Sequence, residues 1–202
     1  MVRKSQKNFE NRQLNQRFSE PSFPNIILTG IMGCGKTTIA NKLAFMLGWG
    51  FLDLDSKIEK ITGLSISEVV NEKGIAGLRR QEASAIENLM SIRNHVISLG
   101  GGALIDKKNR FRIHKMGLLI WVDVSPAIIA RRLIKNEHEI EKRPLISDLN
   151  SYADKDLRYQ KLCDKLNDIL ESRLFCYKSA EIIIRDDYST SHECARRIKN
   201  LF

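Results

Sequence analysis

The residues best suited to chemistry form one short stretch, from Gly30 to Thr37. It reads Gly-Ile-Met-Gly-Cys-Gly-Lys-Thr and matches the pattern Gly-x-x-x-x-Gly-Lys-Thr of loops that bind nucleotide phosphates. Glycines allow such a loop to curl until successive backbone N–H groups face the phosphates, and the following helix adds its dipole. We predict that Lys36 reaches the β- and γ-phosphates of ATP and that the Thr37 hydroxyl binds Mg²⁺. The residues of this stretch and directly after it that are predicted to bind the nucleotide are Gly33, Cys34, Gly35, Lys36, Thr37 and Thr38.

The loop alone leaves the class of protein open, because GTPases, motors, helicases and small-molecule kinases all use it. A GTPase is expected to carry a guanine-reading Asn-Lys-x-Asp sequence, which is absent from this chain. A motor or a helicase is usually larger than 202 residues. The acceptor of the phosphoryl group must therefore be inferred from residues farther along the chain.

Two carboxylates, Asp53 and Asp55, follow a short predicted strand. Alternate residues of a strand point the same way, so both carboxylates are expected to face one pocket. There they would suit metal-bound water and the hydroxyl groups of an acceptor. A solvated strand end followed by a helix cap is the alternative interpretation.

A predicted helix carries Arg79 and Glu82 three positions apart, which brings the two side chains within reach of each other. The pair is either an ordinary surface ion pair or a clamp for a carboxylate that Glu82 holds in place. Three glycines at 100–102 follow a buried strand, which indicates a tight turn or a place where a ligand approaches the backbone.

These residues must be positioned by elements in which short apolar runs alternate with longer amphipathic ones. That alternation predicts an α/β fold of three layers, with a parallel sheet of about five strands and helices on both faces. Ser65 and Glu68 predict a capping box, and Ser125 followed by Pro126 predicts another helix start. The predicted strands are 25–29, 51–54, 96–99, 118–122 and 182–184, and the predicted helices include 36–47, 55–61, 78–90, 126–135, 154–176 and 191–201.

The length predicts a single domain, residues 25–202, preceded by a basic tail at 1–24 that is too polar to bury a core. A flexible tail or an organellar transit peptide would both fit this composition. Five basic and two acidic residues in the tail account for three of the nine net positive charges. The rest of the charge suits either a site for small polyanions or a nucleic-acid surface.

The four cysteines have neither a Cys-x-x-Cys pair nor a zinc spacing, so we expect free thiols in the cytoplasm. Cys34 lies beside the loop amides and Lys36, and we hypothesise that it reacts with thiol reagents. No apolar run approaches the length of a membrane span, so a membrane partner is not expected.

Six short motifs occur in a fixed order along residues 25–186. They are the phosphate loop with Met32, Asp53-x-Asp55, Leu78-Arg79-Arg80-x-Glu82, Ser-Leu-Gly-Gly-Gly-Ala at 98–103, Val-Asp-Val-Ser-Pro at 122–126 and Arg-Pro-Leu at 143–145. Together they closely resemble the shikimate kinases. The resemblance implies a P-loop kinase fold with an acceptor-binding region at about 53–90 and a mobile lid at about 135–147. It also implies an enzyme that needs Mg²⁺ and transfers the γ-phosphoryl of ATP to the 3-hydroxyl of shikimate. We expect it to be a monomer without a nucleic-acid partner.

The same resemblance implies roles for single residues. Lys36, Asp55 and Arg143 would be the catalytic residues, with Asp55 binding the acceptor hydroxyls as the base or the orienting group. Arg143 would lie on the lid and close onto the ATP phosphates, while Asp53 would support Mg²⁺ through water.

On the acceptor side, the resemblance implies that Arg79 and Arg173 bind the shikimate carboxylate. The backbone at Gly101 and Gly102 would contact the substituents of the shikimate ring. Arg173 is identified through the sequence Arg173-x-x-x-Tyr177, which is similar to Arg-x-Pro-Leu-Tyr of the family.

Three departures from the family pattern bear on the acceptor. Phe175 replaces a usual Pro, so the helix around Arg173 is free to continue; Leu78 replaces a common Phe; and segment 135–142 is longer and carries three glutamates. A gluconate kinase therefore stays an alternative within the same chemistry. A basic nucleic-acid-binding protein that hydrolyses ATP is the alternative from another class, although no stacking platform or recognition motif is evident.

Overall fold

The computed structural model describes residues 23–136, 138–187 and 189–202, so the predicted tail lies almost entirely outside the described residues. A parallel sheet of five strands forms the centre, in the spatial order β2-β3-β1-β4-β5. This confirms the predicted sheet. The strands are β1 (Asn25–Thr29), β2 (Gly50–Asp53), β3 (His95–Ser98), β4 (Leu118–Asp123) and β5 (Ile182–Arg185).

Helices connect and cover the strands. In chain order they are α1 (Lys36–Leu47), α2 (Leu54–Thr62), α3 (Ile66–Glu87), α4 (Lys107–Met116), α5 (Pro126–Ile134), α6 (His138–Glu141), α7 (Lys155–Tyr177) and α8 (Ser191–Lys199), with a 3₁₀ helix at Ser147–Ser151. None of the described helices combines the length and apolar composition that crossing a membrane requires.

The apolar core has two layers, one on each face of the sheet, because successive residues of a strand point to opposite faces. Ile26 and Leu28 of β1 face one layer, which is completed by α1, α5, α8 and most of α7. Ile27 faces the other layer, which is completed by α2, α3, α4 and the last turn of α7. Burial on both faces explains why the strands read as continuous apolar runs.

Several boundaries differ from the predicted ones. The strand predicted at 51–54 ends at Asp53, because the Asp53 carboxylate accepts the Ser56 N–H at 3.1 Å and begins α2. The capping box of Ser65 and Glu68 is present. The helix that it starts continues to Glu87, interrupted by non-helical angles at Gly74, so the predicted helix 78–90 is its second part.

Two further differences concern helix starts. Ser125 lies at the start of α5 but makes no side-chain cap; its backbone N–H instead donates to Asp187 at 2.7 Å. The helix α4 was not predicted. Its signals are the capping carboxylate of Asp106 and the glycine at 117 that ends it.

The topology brings the chemical residues to one edge of the sheet. Parallel strands have their carboxyl ends on the same side, and the phosphate loop follows β1 while 100–102 follow β3. In the strand register Ser98 of β3 pairs with both Leu28 of β1 and Asp53 of β2. The end of β3 is therefore the point where the loop and the acidic residues of β2 and α2 meet.

Candidate active site

The phosphate loop has the backbone that its glycines predict. Gly33 and Gly35 take left-handed φ angles of +79° and +96°, and α1 begins directly after Gly35. Lys36 is 7% exposed, and its Nζ donates to the Ile31 carbonyl at 2.9 Å. The lysine thus lies along the loop, with its ammonium group held where a phosphate would be enclosed.

Cys34 is 1% exposed, with its Sγ 3.6 Å from the Lys36 ammonium. Such burial denies a reagent access to the thiol in this conformation, so it argues against the hypothesis of a reactive Cys34. Thr38 is exposed in the first turn of α1.

Three oxygen atoms meet beside the loop. The Thr37 hydroxyl donates to Asp53 Oδ2 at 2.8 Å and lies 3.3 Å from the Ser98 hydroxyl. Hydroxyl and carboxylate oxygens, with water and phosphate completing the shell, are the donors that Mg²⁺ prefers. The described residues contain no group of three or more His, Cys, Asp or Glu side chains that could hold a metal. This small oxygen set therefore fits a magnesium ion that is bound largely by water and nucleotide.

The two predicted carboxylates lie on the same side of the sheet, although not by alternation along a strand as predicted. Asp53 caps α2 from the end of β2, and Asp55 lies in the first turn of that helix. Asp55 lines the cavity at the sheet edge, whereas Asp53 faces Thr37. The helix turn separates them, which gives each carboxylate a different partner.

Burial and neighbouring acids raise the pKa of Asp55 to about 6. Loss of solvent is the largest cause, followed by the charges of Asp53 and Glu82, while the Lys36 ammonium lowers the pKa. A carboxyl group with a pKa near the working pH can both bind and release a proton, which suits a base or an orienting group.

Arg79 and Glu82 form the predicted ion pair, with Arg79 Nη1 2.5 Å from Glu82 Oε2. Glu82 is 1% exposed, and burial raises its pKa although the Arg79 guanidinium opposes the rise. The guanidinium also lies over Gly102, in the space that a Cβ there would occupy. Glu82 and Gly102 together fix the guanidinium in the cavity.

The carbonyl of Gly101 receives two donors from α7. Arg173 Nη1 donates to it at 3.0 Å, and the Tyr177 hydroxyl donates to it at 2.6 Å. Tyr177 is fully buried and stacks on Trp121 with 5.6 Å between ring centroids. The helix continues through Phe175, as the departure from Pro predicted, so an unbroken helix places Arg173 and Tyr177 one turn apart.

One cavity of about 280 Å³ joins these groups. Nine of the predicted site residues line it: Gly33, Lys36, Thr37, Asp55, Arg79, Gly101, Gly102, Arg143 and Arg173. Four do not: Cys34, Gly35, Thr38 and Asp53. The loop that suits phosphates and the arginines that suit a carboxylate therefore open into the same space.

Arg143 reaches the cavity from the chain after α6. Its guanidinium is bound to Glu139, with Nη2 2.9 Å from Oε2 and Nη1 donating to the Glu139 carbonyl. Glu139 and Lys142 also line the cavity, and the Ser67 hydroxyl of α3 donates to the Lys142 carbonyl at 3.1 Å.

Sequence reasoning did not assign four residues of the site: Ser98, Tyr177, Glu139 and Lys142. Only the family-like spacing Arg173-x-x-x-Tyr177 offered a signal for the tyrosine.

A family model described as shikimate kinase matches residues 32–201. The chain belongs to the shikimate kinase family. The shikimate kinases of Nostoc punctiforme and Alkaliphilus oremlandii are 35% and 36% identical to it over 175 residues. These alignments cover 86% of this chain and 88% and 96% of the two relatives.

Solved structures of shikimate kinases have the same architecture. The enzyme from Acinetobacter baumannii in complex with shikimate superimposes with a TM-score of 0.76 at 29% identity, over 93% of this chain and 96% of its own. The enzyme from Bacteroides thetaiotaomicron gives 0.75 at 29% identity, over 89% and 98%. The predicted P-loop kinase fold is thereby confirmed.

Proposed function

We propose that this chain transfers the γ-phosphoryl group of ATP to the 3-hydroxyl of shikimate, giving shikimate 3-phosphate, a step of aromatic amino acid biosynthesis. The observation that carries this proposal is the single cavity lined by Lys36 of the phosphate loop, by Asp55 and by the arginines Arg79 and Arg173. A phosphate donor and a hydroxy acid can meet there with the acceptor hydroxyl next to the γ-phosphorus and in line with the oxygen that leaves with ADP. Membership of the shikimate kinase family supports the same reaction.

On the donor side, the amides of the loop and Lys36 bind the β- and γ-phosphates and offset the charge that develops on the transferred group. Thr37 and Asp53, the latter through water, would hold Mg²⁺, which supplies further positive charge at the phosphates when it is bound. Ser98 supports this pair through its contact with the Thr37 hydroxyl.

On the acceptor side, Arg79 and Arg173 bind the carboxylate of shikimate, because a guanidinium fork matches a carboxylate in geometry and charge. The backbone at Gly101 and Gly102 contacts the ring substituents. Asp55 accepts the hydrogen of the 3-hydroxyl; with a pKa of about 6 it is ionised at neutral pH and able to do so.

Segment 135–147 acts as the lid. It brings Arg143 to the ATP phosphates and excludes water, which would otherwise take the phosphoryl group unproductively. We further propose that the enzyme works as a monomer in the cytoplasm. All the residues assigned to the site come from one chain, and the four cysteines are free thiols, as a reducing compartment favours.

Steady-state turnover of ATP with three acceptor conditions tests the reaction. We expect ADP release that depends on shikimate, with little release with gluconate or without acceptor. The product should carry its phosphate on the 3-hydroxyl, as ³¹P and ¹H NMR can establish. Turnover with gluconate in place of shikimate, or ADP release that is independent of acceptor, would refute the proposal.

A further inference from the structure

The Arg143 guanidinium is already occupied in this conformation of the protein. Glu139, one helical turn before Arg143, accepts from the guanidinium twice. Its carboxylate lies 2.9 Å from Nη2, and its backbone carbonyl accepts from Nη1. The Lys142 ammonium lies 3.5 Å from the other carboxylate oxygen. One carboxylate thus lies between the two cations of this segment.

These three side chains also line the cavity into which Lys36 projects. The next acid of the helix, Glu141, is turned elsewhere: its carboxylate binds His138 at 3.2 Å and Asn150 at 3.0 Å, and it does not line the cavity. The Arg143 hydrogen bond is the largest cause of the lowered pKa of Glu139. Glu139 therefore carries its negative charge in the wall of the cavity that Lys36 also lines.

We propose that Glu139 is a positioning residue that holds Arg143 in the nucleotide-free enzyme and competes with the phosphates of ATP for it. This inference rests on the role of Arg143 in the proposed function. Glu139 engages both Nη atoms of Arg143, so a nucleotide phosphate that binds through these Nη groups, in the orientation of a fork, must displace Glu139. The free energy needed to break that pair makes the binding free energy of ATP less favourable by the same amount.

The size of the effect follows from exposure. The Arg143 and Glu139 side chains are 23% and 35% exposed, so the pair is partly screened by solvent. Pairs of this kind change an equilibrium by about two- to fivefold. The segment would thereby trade some affinity for ATP against an arginine that is held in the cavity before the nucleotide arrives.

The test is the affinity of Glu139→Gln for ATP, measured by titration calorimetry with Mg²⁺ and without shikimate. Glutamine keeps the size of the side chain and removes its charge. We expect the Kd for ATP to fall by about two- to fivefold. Glu141→Gln makes the same change two residues away, outside the cavity, and should leave the Kd as in the wild type.

A second comparison separates competition for Arg143 from a general effect of charge or a structural effect. In the Arg143→Ala background, Glu139→Gln should no longer change the Kd for ATP. An unchanged or higher Kd in the single variant, an equal gain in Glu141→Gln, or the same gain without Arg143 would each overturn the inference. Since shikimate is absent from the titration, a failure of the proposed acceptor would not be confused with a failure here.

Discussion

The phosphate loop and the acceptor wall of the cavity are built in different ways. The loop is eight consecutive residues, 30–37, and it binds mainly through backbone groups whose direction glycines permit. The acceptor wall is the set Asp55, Arg79, Gly101 and Arg173, which comes from α2, α3, the turn after β3 and α7. Glu82 holds Arg79, and Arg173 and Tyr177 both donate to the Gly101 carbonyl. Loss of a single donor should therefore be enough to impair phosphate binding by the loop. Binding of the acceptor should also be impaired when a residue that supports the wall is changed.

Lys36→Ala should have the largest effect on turnover. It removes a donor that is positioned for the phosphates, and the loss of one such donor lowers kcat by about 10²–10³-fold. Stopped assays with shikimate should show this loss, while binding of shikimate, followed by calorimetry, persists. Lys42→Ala changes a lysine of the same helix that does not line the cavity and donates to Ser191 of α8, and it should keep full activity. A near-normal kcat in Lys36→Ala would show that the loop does not depend on this donor.

Arg79→Ala should weaken the binding of shikimate and leave the binding of ATP unchanged. A charge-assisted pair with the shikimate carboxylate is lost and the buried Glu82 loses its ion-pair partner, so KM for shikimate should rise about 10²-fold. The Kd for ATP should stay within about twofold of the wild type, because the loop does not depend on α3. Arg80→Ala, exposed beside it, is the matched control. Normal use of shikimate by Arg79→Ala would show that the clamp is assigned wrongly.

The same contrast explains what could be predicted from the sequence. The loop and the pair Arg79–Glu82 are local, so their residue types and spacing carry the prediction. Ser98 meets Thr37 only because the strand register sets it beside β1 and β2, and no local pattern encodes that register.

Other parts of the site depend on contacts between distant segments. Tyr177 reaches the Gly101 carbonyl, 76 positions earlier, through the packing of α7 on the sheet. The strand was predicted to continue to Leu54, and its alternation was expected to turn Asp53 and Asp55 toward one pocket. A capping hydrogen bond outweighs strand propensity there, and Leu54 is buried as the first residue of the helix instead.

The ionisation of Asp55, in the acceptor wall, should affect the stability of the folded protein. Its folded pKa is about 6, above the ordinary value of 3.8, so the folded protein binds the proton more tightly than the unfolded chain. Its contribution to stability is complete below pH 3.8 and is lost as the pH rises through about 6, at a cost of about 3 kcal/mol. Asp55→Asn should therefore unfold at higher urea than the wild type at pH 8, but not at pH 4.

The activity of Asp55→Asn should move the opposite way, since the acceptor hydroxyl loses its base or orienting group. In the wild type, kcat/KM for shikimate should fall below a pH of about 6. Asp168→Asn, an exposed acid on α7, should change neither the pH dependence of stability nor turnover. Equal free energies of unfolding for Asp55→Asn and the wild type at pH 8 would mean that the ionised Asp55 does not destabilise the folded protein.

Tyr177→Phe should have the smallest effect and is the sharpest test of support in the acceptor wall. It deletes the hydroxyl that donates to the Gly101 carbonyl but leaves the ring on Trp121 and the Arg173 donor in place. One neutral hydrogen bond is worth about 1 kcal/mol, so KM for shikimate should rise about three- to tenfold with the Kd for ATP unchanged. Tyr159→Phe, on the same helix but packed against the other core layer, should leave both constants unchanged. If Tyr177→Phe weakened ATP as much as shikimate, the hydroxyl would stabilise the whole sheet edge, and the loop and the wall would not be separable.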